Sequence, residues 1–316
     1  MKKYFFPVLR AAAILLVVGL WLNPLTVHAG VVEVVNGPAS TVDQFSTSGN
    51  PLGSLGSGIP LRLPEGIAVN SAGDTFVSEY IGGDIQKFGA NGAALGTFAS
   101  GLINPRDIAV DSAGNVYVVN SANGWGNPSA INEYAPNGNL LNSISLGYYV
   151  DWPGGLAVNN NGDVFVANFN NGTIQEFGTN GTSLGTFAAD LNGPADMAFN
   201  STGDMFVSEM YGGTIKEFDS NGNLLGTFAS GLHSPLGLTF DNAGNLYEVD
   251  NGTGFINEFA ANGTLINSFY ADSFPLFIAF NPVAVSTVPE PSALWLLGIG
   301  GLVLSGYAWR KKKSTV

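Results

Sequence analysis

The sequence predicts an all-β fold, a six-bladed β-propeller closed by pairing of its N- and C-terminal strands, with a transmembrane helix added at the C-terminus. Three observations carry the prediction. A proline-led phrase recurs six times: PEGIAV from Pro64, PRDIAV from Pro105, PGGLAV from Pro153, PADMAF from Pro194, PLGLTF from Pro235 and PLFIAF from Pro275. The steps between phrases are 41, 48, 41, 41 and 40 residues, the length over which a four-stranded unit repeats around a ring. The two chain ends, finally, hold complementary fragments of one such unit.

Each unit reads as four strands, a to d, from the channel outward. The phrase is strand a, and a Gly-Asp or Gly-Asn turn such as Gly73-Asp74 or Gly114-Asn115 leads into strand b, FVSE from Phe76 or YVVN from Tyr117. Strand c ends in an aromatic, as in IQKF from Ile85 and IKEF from Ile215. Its apolar first and last residues are three apart, so the segment does not assign cleanly to one face, and a bulge or an end effect has to be allowed there. An Asn-Gly turn signal at Asn91, Asn137, Asn180, Asn221 and Asn262 then opens strand d, for example LGTF from Leu95.

Five units are whole. The last phrase, PLFIAF, has no unit after it, while VDQF from Val42 and PLGSL from Pro51 reproduce strands c and d with no phrase before them. Val31 to Val35 supplies the missing strand b, so the two ends complete a sixth blade and leave no open sheet edge.

Outside the repeats, Lys2, Lys3 and Arg10 precede an apolar run from Ala11 to Leu22 and the small-residue pattern Val27-His28-Ala29, which reads as a secretory signal over residues 1–29. The propeller is assigned to residues 30–286. In residues 287–316, Val288, Pro289, Glu290 and Pro291 precede an apolar stretch from Ala293 to Trp309, and Arg310, Lys311, Lys312 and Lys313 follow at once. As a helix that stretch spans ~26 Å, enough for a bilayer core, and the basic cluster sets its end on the cytoplasmic side. This order resembles the PEP-CTERM sorting signal of Gram-negative bacteria. The resemblance implies an inner-membrane precursor, an exosortase as partner, cleavage near Pro289 to Pro291, and delivery to the cell surface or extracellular matrix.

The ends also hold seven of the eleven basic residues. Without them, four basic residues face 23 acids, a net charge near −19. Such a surface repels phosphate backbones, which excludes nucleic acid and leaves divalent cations, extracellular polysaccharide or surface proteins as partners. There is no cysteine, hence neither disulfide nor thiolate chemistry.

Strand b closes with Glu79, Asn120, Asn168, Glu209 and Asp250 in five units, placing an oxygen-bearing side chain near the channel mouth each time. Two readings are open: a ring able to hold Ca²⁺, a cation that takes six to eight oxygens, or caps that satisfy loop backbone groups. No cofactor is required under either. The repeat PEGIAVNSAGDTFVSE with its I-x-x-F segment resembles NHL-type propellers, a likeness that fixes fold better than function. In the similar gluconolactonase-like propellers, a metal is held partly by acid or amide residues just before the glycine of strand a. Here Glu65 alone fits, with Asp107 and Asp196 one place further on. The lyase-type propellers depend on histidines, and outside the signal segment this chain has only His233.

The second unit is irregular. Asn120 to Ile131 spans 11 positions where Glu79 to Ile85 spans 6, and Ile144 to Pro153 spans 9 where Phe98 to Pro105 spans 7. These two longer loops fall on one face and carry Trp125, Tyr148, Tyr149 and Trp152, side chains that stack on sugars or anchor protein partners. The expectation is a secreted, surface- or matrix-associated propeller that binds through this face without catalysis. The alternative is a cation-dependent hydrolase or lactonase using Glu65, Glu79, Glu209 and Asp250.

Overall fold

The computed structural model describes residues 30–56, 58–121, 129–147 and 153–283. The chain starts with β1 (Val31–Asn36), β2 (Thr41–Ser46) and β3 (Pro51–Ser54). Blade 1 follows as β4 (Pro64–Val69), β5 (Thr75–Glu79), β6 (Asp84–Phe88) and β7 (Ala94–Ala99). Blade 2 is β8 (Pro105–Val110), β9 (Val116–Asn120), β10 (Ser129–Tyr134) and β11 (Leu140–Gly147), and blade 3 is β12 (Pro153–Val158), β13 (Val164–Asn168), β14 (Thr173–Phe177) and β15 (Ser183–Ala188). Blade 4 comprises β16 (Pro194–Phe199), β17 (Met205–Glu209), β18 (Thr214–Phe218) and β19 (Leu224–Ser230). Blade 5 comprises β20 (Pro235–Phe240), β21 (Leu246–Asp250), β22 (Phe255–Phe259) and β23 (Leu265–Tyr270), and β24 (Pro275–Asn281) ends the ring.

All six sheets have four strands, and the sixth has the order β24-β1-β2-β3, so the two ends of the chain share one blade. Closure pairs Val32 with Phe280 and Val34 with Ile278. A polar cluster adds to it: Glu33, buried where other blades carry Phe76, Tyr117 or Tyr247, accepts from Gln44, Thr75 and Asn281.

Strand c does not bulge, so the bulge its sequence allowed is not needed. Ile85 packs toward blade 2 with Ile108 and Val116, while Phe88 packs toward blade 6 with Val35 and Val42. Both faces of a blade are buried, so an odd spacing simply sends the two ends to opposite neighbours. The extra residues sit in strand d, where pairing passes from Ala99 to Thr97 and from Gly96 to Ala94. The skipped Phe98 turns its ring edge-on to Phe76, centroids 4.9 Å apart, and Phe187 on Phe165 (5.1 Å) and Phe228 on Phe206 (4.9 Å) repeat the contact. Each such pair contributes ~1 kcal/mol beyond its burial.

Strand a faces the channel. A register shift between Pro64 and Ile67 leaves the Gly66 N–H without a strand partner, and Ser78 Oγ accepts it while donating to the Arg106 carbonyl of the next blade. Ser208 does the same for Asp196 N–H and the Leu236 carbonyl. The third residue of the phrase alternates around the ring: Gly66, Asp107, Gly155, Asp196, Gly237, Phe277. A Cβ on Gly155 would lie 2.5 Å from the Cα of Asp196, and one on Gly66 would lie 2.7 Å from that of Asp107, so glycine in one blade makes room for the larger residue in the next.

Among the described residues no helix is long and apolar enough to cross a membrane. The expected transmembrane stretch, Ala293 to Trp309, lies outside them.

Candidate binding mouth

The second residue of every strand a meets at one end of the channel: Glu65, Arg106, Gly154, Ala195, Leu236 and Leu276. With the loops around them they enclose a cavity of about 480 Å³. Its two sides differ. On one, Glu65 Oε2 lies 3.7 Å from Arg106 Nη1, and the Arg106 guanidinium lies over the Tyr80 ring at 5.4 Å. Burial pushes the Glu65 carboxyl up and the Arg106 charge opposes it, so any cation drawn to Glu65 competes with a resident one. On the other side, Gly154 and Ala195 leave a depression walled by Phe169 and Tyr211, whose rings meet edge-on at 5.1 Å. Tyr211 is 68% exposed.

The acids and amides that close strand b are placed differently. Glu79 Oε1 accepts Arg62 N–H (2.7 Å), Asn120 Oδ1 accepts Ile103 N–H (2.6 Å), Glu209 Oε1 accepts Asn192 N–H (2.9 Å) and Asp250 Oδ2 accepts His233 N–H (3.1 Å). Every donor is the residue two before the proline of its own blade, so each side chain holds the loop that enters its own strand a. Asn168 is buried at the matching place in blade 3. Among the described residues no three His, Asp or Glu side chains gather where one ion would be held.

Deeper in the channel, Asp107 and Asp196 are buried. Asp107 Oδ2 accepts Leu156 N–H and Asp196 Oδ2 accepts Leu238 N–H, both at 2.7 Å, so each ties its blade to the next. Burial raises both carboxyls, Asp107 further because Asp196 is close, and Asp196 reaches about 7. His233 lies away from the mouth, in a groove between blades 4 and 5.

Trp125, Tyr148, Tyr149 and Trp152 lie outside the described residues. Their segments join β9 to β10 and β11 to β12. Sequence reasoning missed Phe169, Tyr211 and Tyr80, although an aromatic one or two places after strand b was there to be read.

The fold and this mouth define a six-bladed β-propeller with a ligand-sized opening at one end of its channel. Within it the chain carries an NHL repeat at residues 151–177 and a β-propeller repeat at residues 80–126, and beyond it the PEP-CTERM protein-sorting motif at residues 287–313. The motif implies export, a membrane-anchored precursor in a Gram-negative bacterium, and exosortase processing. No curated protein sequence matches the chain. Among solved structures it is similar to a chain of the nidogen/laminin complex (16% identity, TM-score 0.68, covering 82% of this chain and 99% of that one). It is also similar to a protein of unknown function from Bacteroides caccae (15%, 0.66, 80% and 99%) and to a catalytically inactive virginiamycin B lyase from Staphylococcus aureus with quinupristin (13%, 0.59, 82% and 94%). At these identities the likeness is one of fold.

Proposed function

We propose that the exported chain is a non-catalytic binding protein of the cell surface or extracellular matrix, and that its mouth takes a sugar unit of an extracellular polysaccharide. The observation that carries this reading is the division of the mouth. A sugar ring has apolar C–H faces and a hydroxyl rim. Phe169 and Tyr211 offer the first an aromatic wall, and Glu65 with Arg106 offers the second acceptors and donors. Catalysis by the strand-b acids is disfavoured by their geometry, since those whose bonds are described each hold a backbone N–H of their own blade. Trp125, Tyr148, Tyr149 and Trp152 are proposed as further aromatic contacts for the same ligand, and neither Ca²⁺ nor another cofactor is needed.

Glycan binding by the purified chain tests this. Tyr211→Ala is expected to weaken binding about tenfold, ~1.4 kcal/mol, with little change in melting temperature, because the ring is exposed in the free protein. Trp125→Ala and Trp152→Ala should each weaken binding by ~1 to 3 kcal/mol. Unaltered affinity in all three variants, or turnover of the bound glycan, would overturn the proposal.

A further inference from the structure

Blades 4 and 5 differ around the acid that closes strand b. In blade 4, Glu209 Oε2 accepts the Thr214 hydroxyl and lies 3.9 Å from Lys216 Nζ, which donates to Thr227 Oγ1 at 2.9 Å. Aligning TIKEF from Thr214 with FINEF from Phe255 makes Asp250, Phe255 and Asn257 the matching residues of blade 5. The acid is one methylene shorter, and its hydroxyl and ammonium partners are both gone. Asp250 Oδ2 keeps the His233 N–H, but Oδ1 is buried without a partner.

A second carboxylate stands beside it. Glu248 replaces the Val207 of blade 4 and is fully buried. Its Oε2 accepts Asn257 Nδ2 at 2.9 Å, while Oε1 has no partner. Burial, with Asp250 adding to it, pushes the Glu248 carboxyl up to about 8. Blade 1 gives its Glu79 a resident cation in Arg62 at 3.4 Å, and blade 4 gives Glu209 one in Lys216. Blade 5 has two acids at this place, and among the described residues the basic group beside them is the exposed His233, its Nδ1 3.7 Å from Asp250.

Beside these exchanges lies a groove of about 690 Å³ between blades 4 and 5, larger than the matching groove of about 460 Å³ between blades 3 and 4 where Glu209 and Lys216 stand. Asp250 and Asn257 line the larger one, and Phe228, Leu232, Phe255 and Leu265 form apolar walls. An acid end and apolar walls match a charged head on a hydrocarbon stem. Lys216 is the chain's own example of that head held by a strand-b acid and a strand-d hydroxyl. The excess of acids over the four basic residues of the propeller attracts such a ligand from a distance.

We propose that the groove between blades 4 and 5 binds a primary alkylammonium, carried by a lysine side chain or a free amine, with Asp250 Oδ1 holding its charge and Glu248, behind Asn257, adding to the field as it ionises. The site is separate from the mouth and stands or falls independently of it.

Titration of the full chain in detergent with Nα-acetyl-lysine methylamide, its Nε-acetylated form, butylamine and Ca²⁺ tests the proposal, with melting temperature and calorimetry as readouts. The charged lysine probe and butylamine should bind and raise the melting temperature, and the neutral acetyl-lysine should not. Tighter binding of the lysine probe than of butylamine assigns the site to protein partners, and equal binding assigns it to free amines. Asn257→Lys, which restores the blade 4 ammonium, should raise the melting temperature of the free protein and weaken both amines at least tenfold. Glu248→Gln keeps the volume and should weaken them about threefold or more. No amine response, an equal response to acetyl-lysine, or unchanged affinity in both variants overturns the proposal. So does a Ca²⁺ response without an amine response, or an unresponsive groove in which Glu248 and Asp250 share a proton.

Discussion

At the inner wall of the ring a methyl group added to Gly155 would lie 2.5 Å from the Cα of Asp196, whereas at the outer rim one added to Gly226 meets nothing within 4 Å. The two glycines belong to the same kind of repeat, in strands a and d. Inside, six strands converge, the third residue of each is matched to what its neighbour carries, and backbone donors are held by Ser78, Ser208, Asp107 and Asp196. Outside, strand d is bulged, and Leu95, Leu184 and Leu224 lie exposed. Bulged, short outer strands also deter pairing with other chains. The wall therefore sets which blades fit together, and the rim absorbs variation without affecting closure.

The largest effect expected from breaking this contrast comes from deleting residues 31–56. Strand β24 is part of the wall but takes its sheet partners from that segment, so deletion should abolish the cooperative thermal transition; an unchanged melting temperature would show that the ring closes some other way. Next is Gly155→Ala, expected to cost ~2 to 4 kcal/mol in chemical denaturation because the clash is with backbone. Gly226→Ala should change stability by less than ~1 kcal/mol, and toward gain, since alanine restricts the unfolded chain. Equal effects at both glycines would erase the distinction between wall and rim.

A change confined to the wall sharpens the comparison through pH. Burial raises Asp196 to about 7, so the folded protein keeps a proton that the unfolded chain releases near pH 4. This stabilisation is complete below the unfolded value and is lost as pH rises through about 7. Asp196→Asn should flatten that decline, reducing the stability difference between pH 5 and pH 8 by an amount on the order of a few kcal/mol. A decline as steep as in the parent would place the proton elsewhere.

The ring, the blade number and the shared blade were all legible, because a repeat of fixed length states its own topology and because VDQF and PLFIAF are visibly halves of one unit. The bulge allowed for in strand c lies in strand d instead. The I-x-x-F spacing looked irregular only under the assumption of one buried face, and Ile85 and Phe88 show that both are buried. The strand-b acids were legible as a ring of oxygens, but whether they converge depends on loop geometry, and Arg62 and Asn192 reach them only because their loops fold back over the strand ends. The aromatic wall of the mouth was hidden for a simpler reason. Phe169 and Tyr211 sit in loops of ordinary length, and attention goes to loops that break the period.

One consequence follows from the direction of the last strand. Strand β24 begins at the mouth, where Leu276 and Phe277 line the cavity, and ends with Phe280 at the opposite opening of the channel. There Asn281 is buried and donates to the Gly73 carbonyl at 3.0 Å, and Val283 N–H bonds back to Asn281 Oδ1. The chain thus leaves the ring from the side away from the mouth, just before the sorting motif begins. The described ring hands the chain on toward the sorting motif at the face opposite the opening. Processing at the motif, reached from that face, leaves the residues that line the opening untouched.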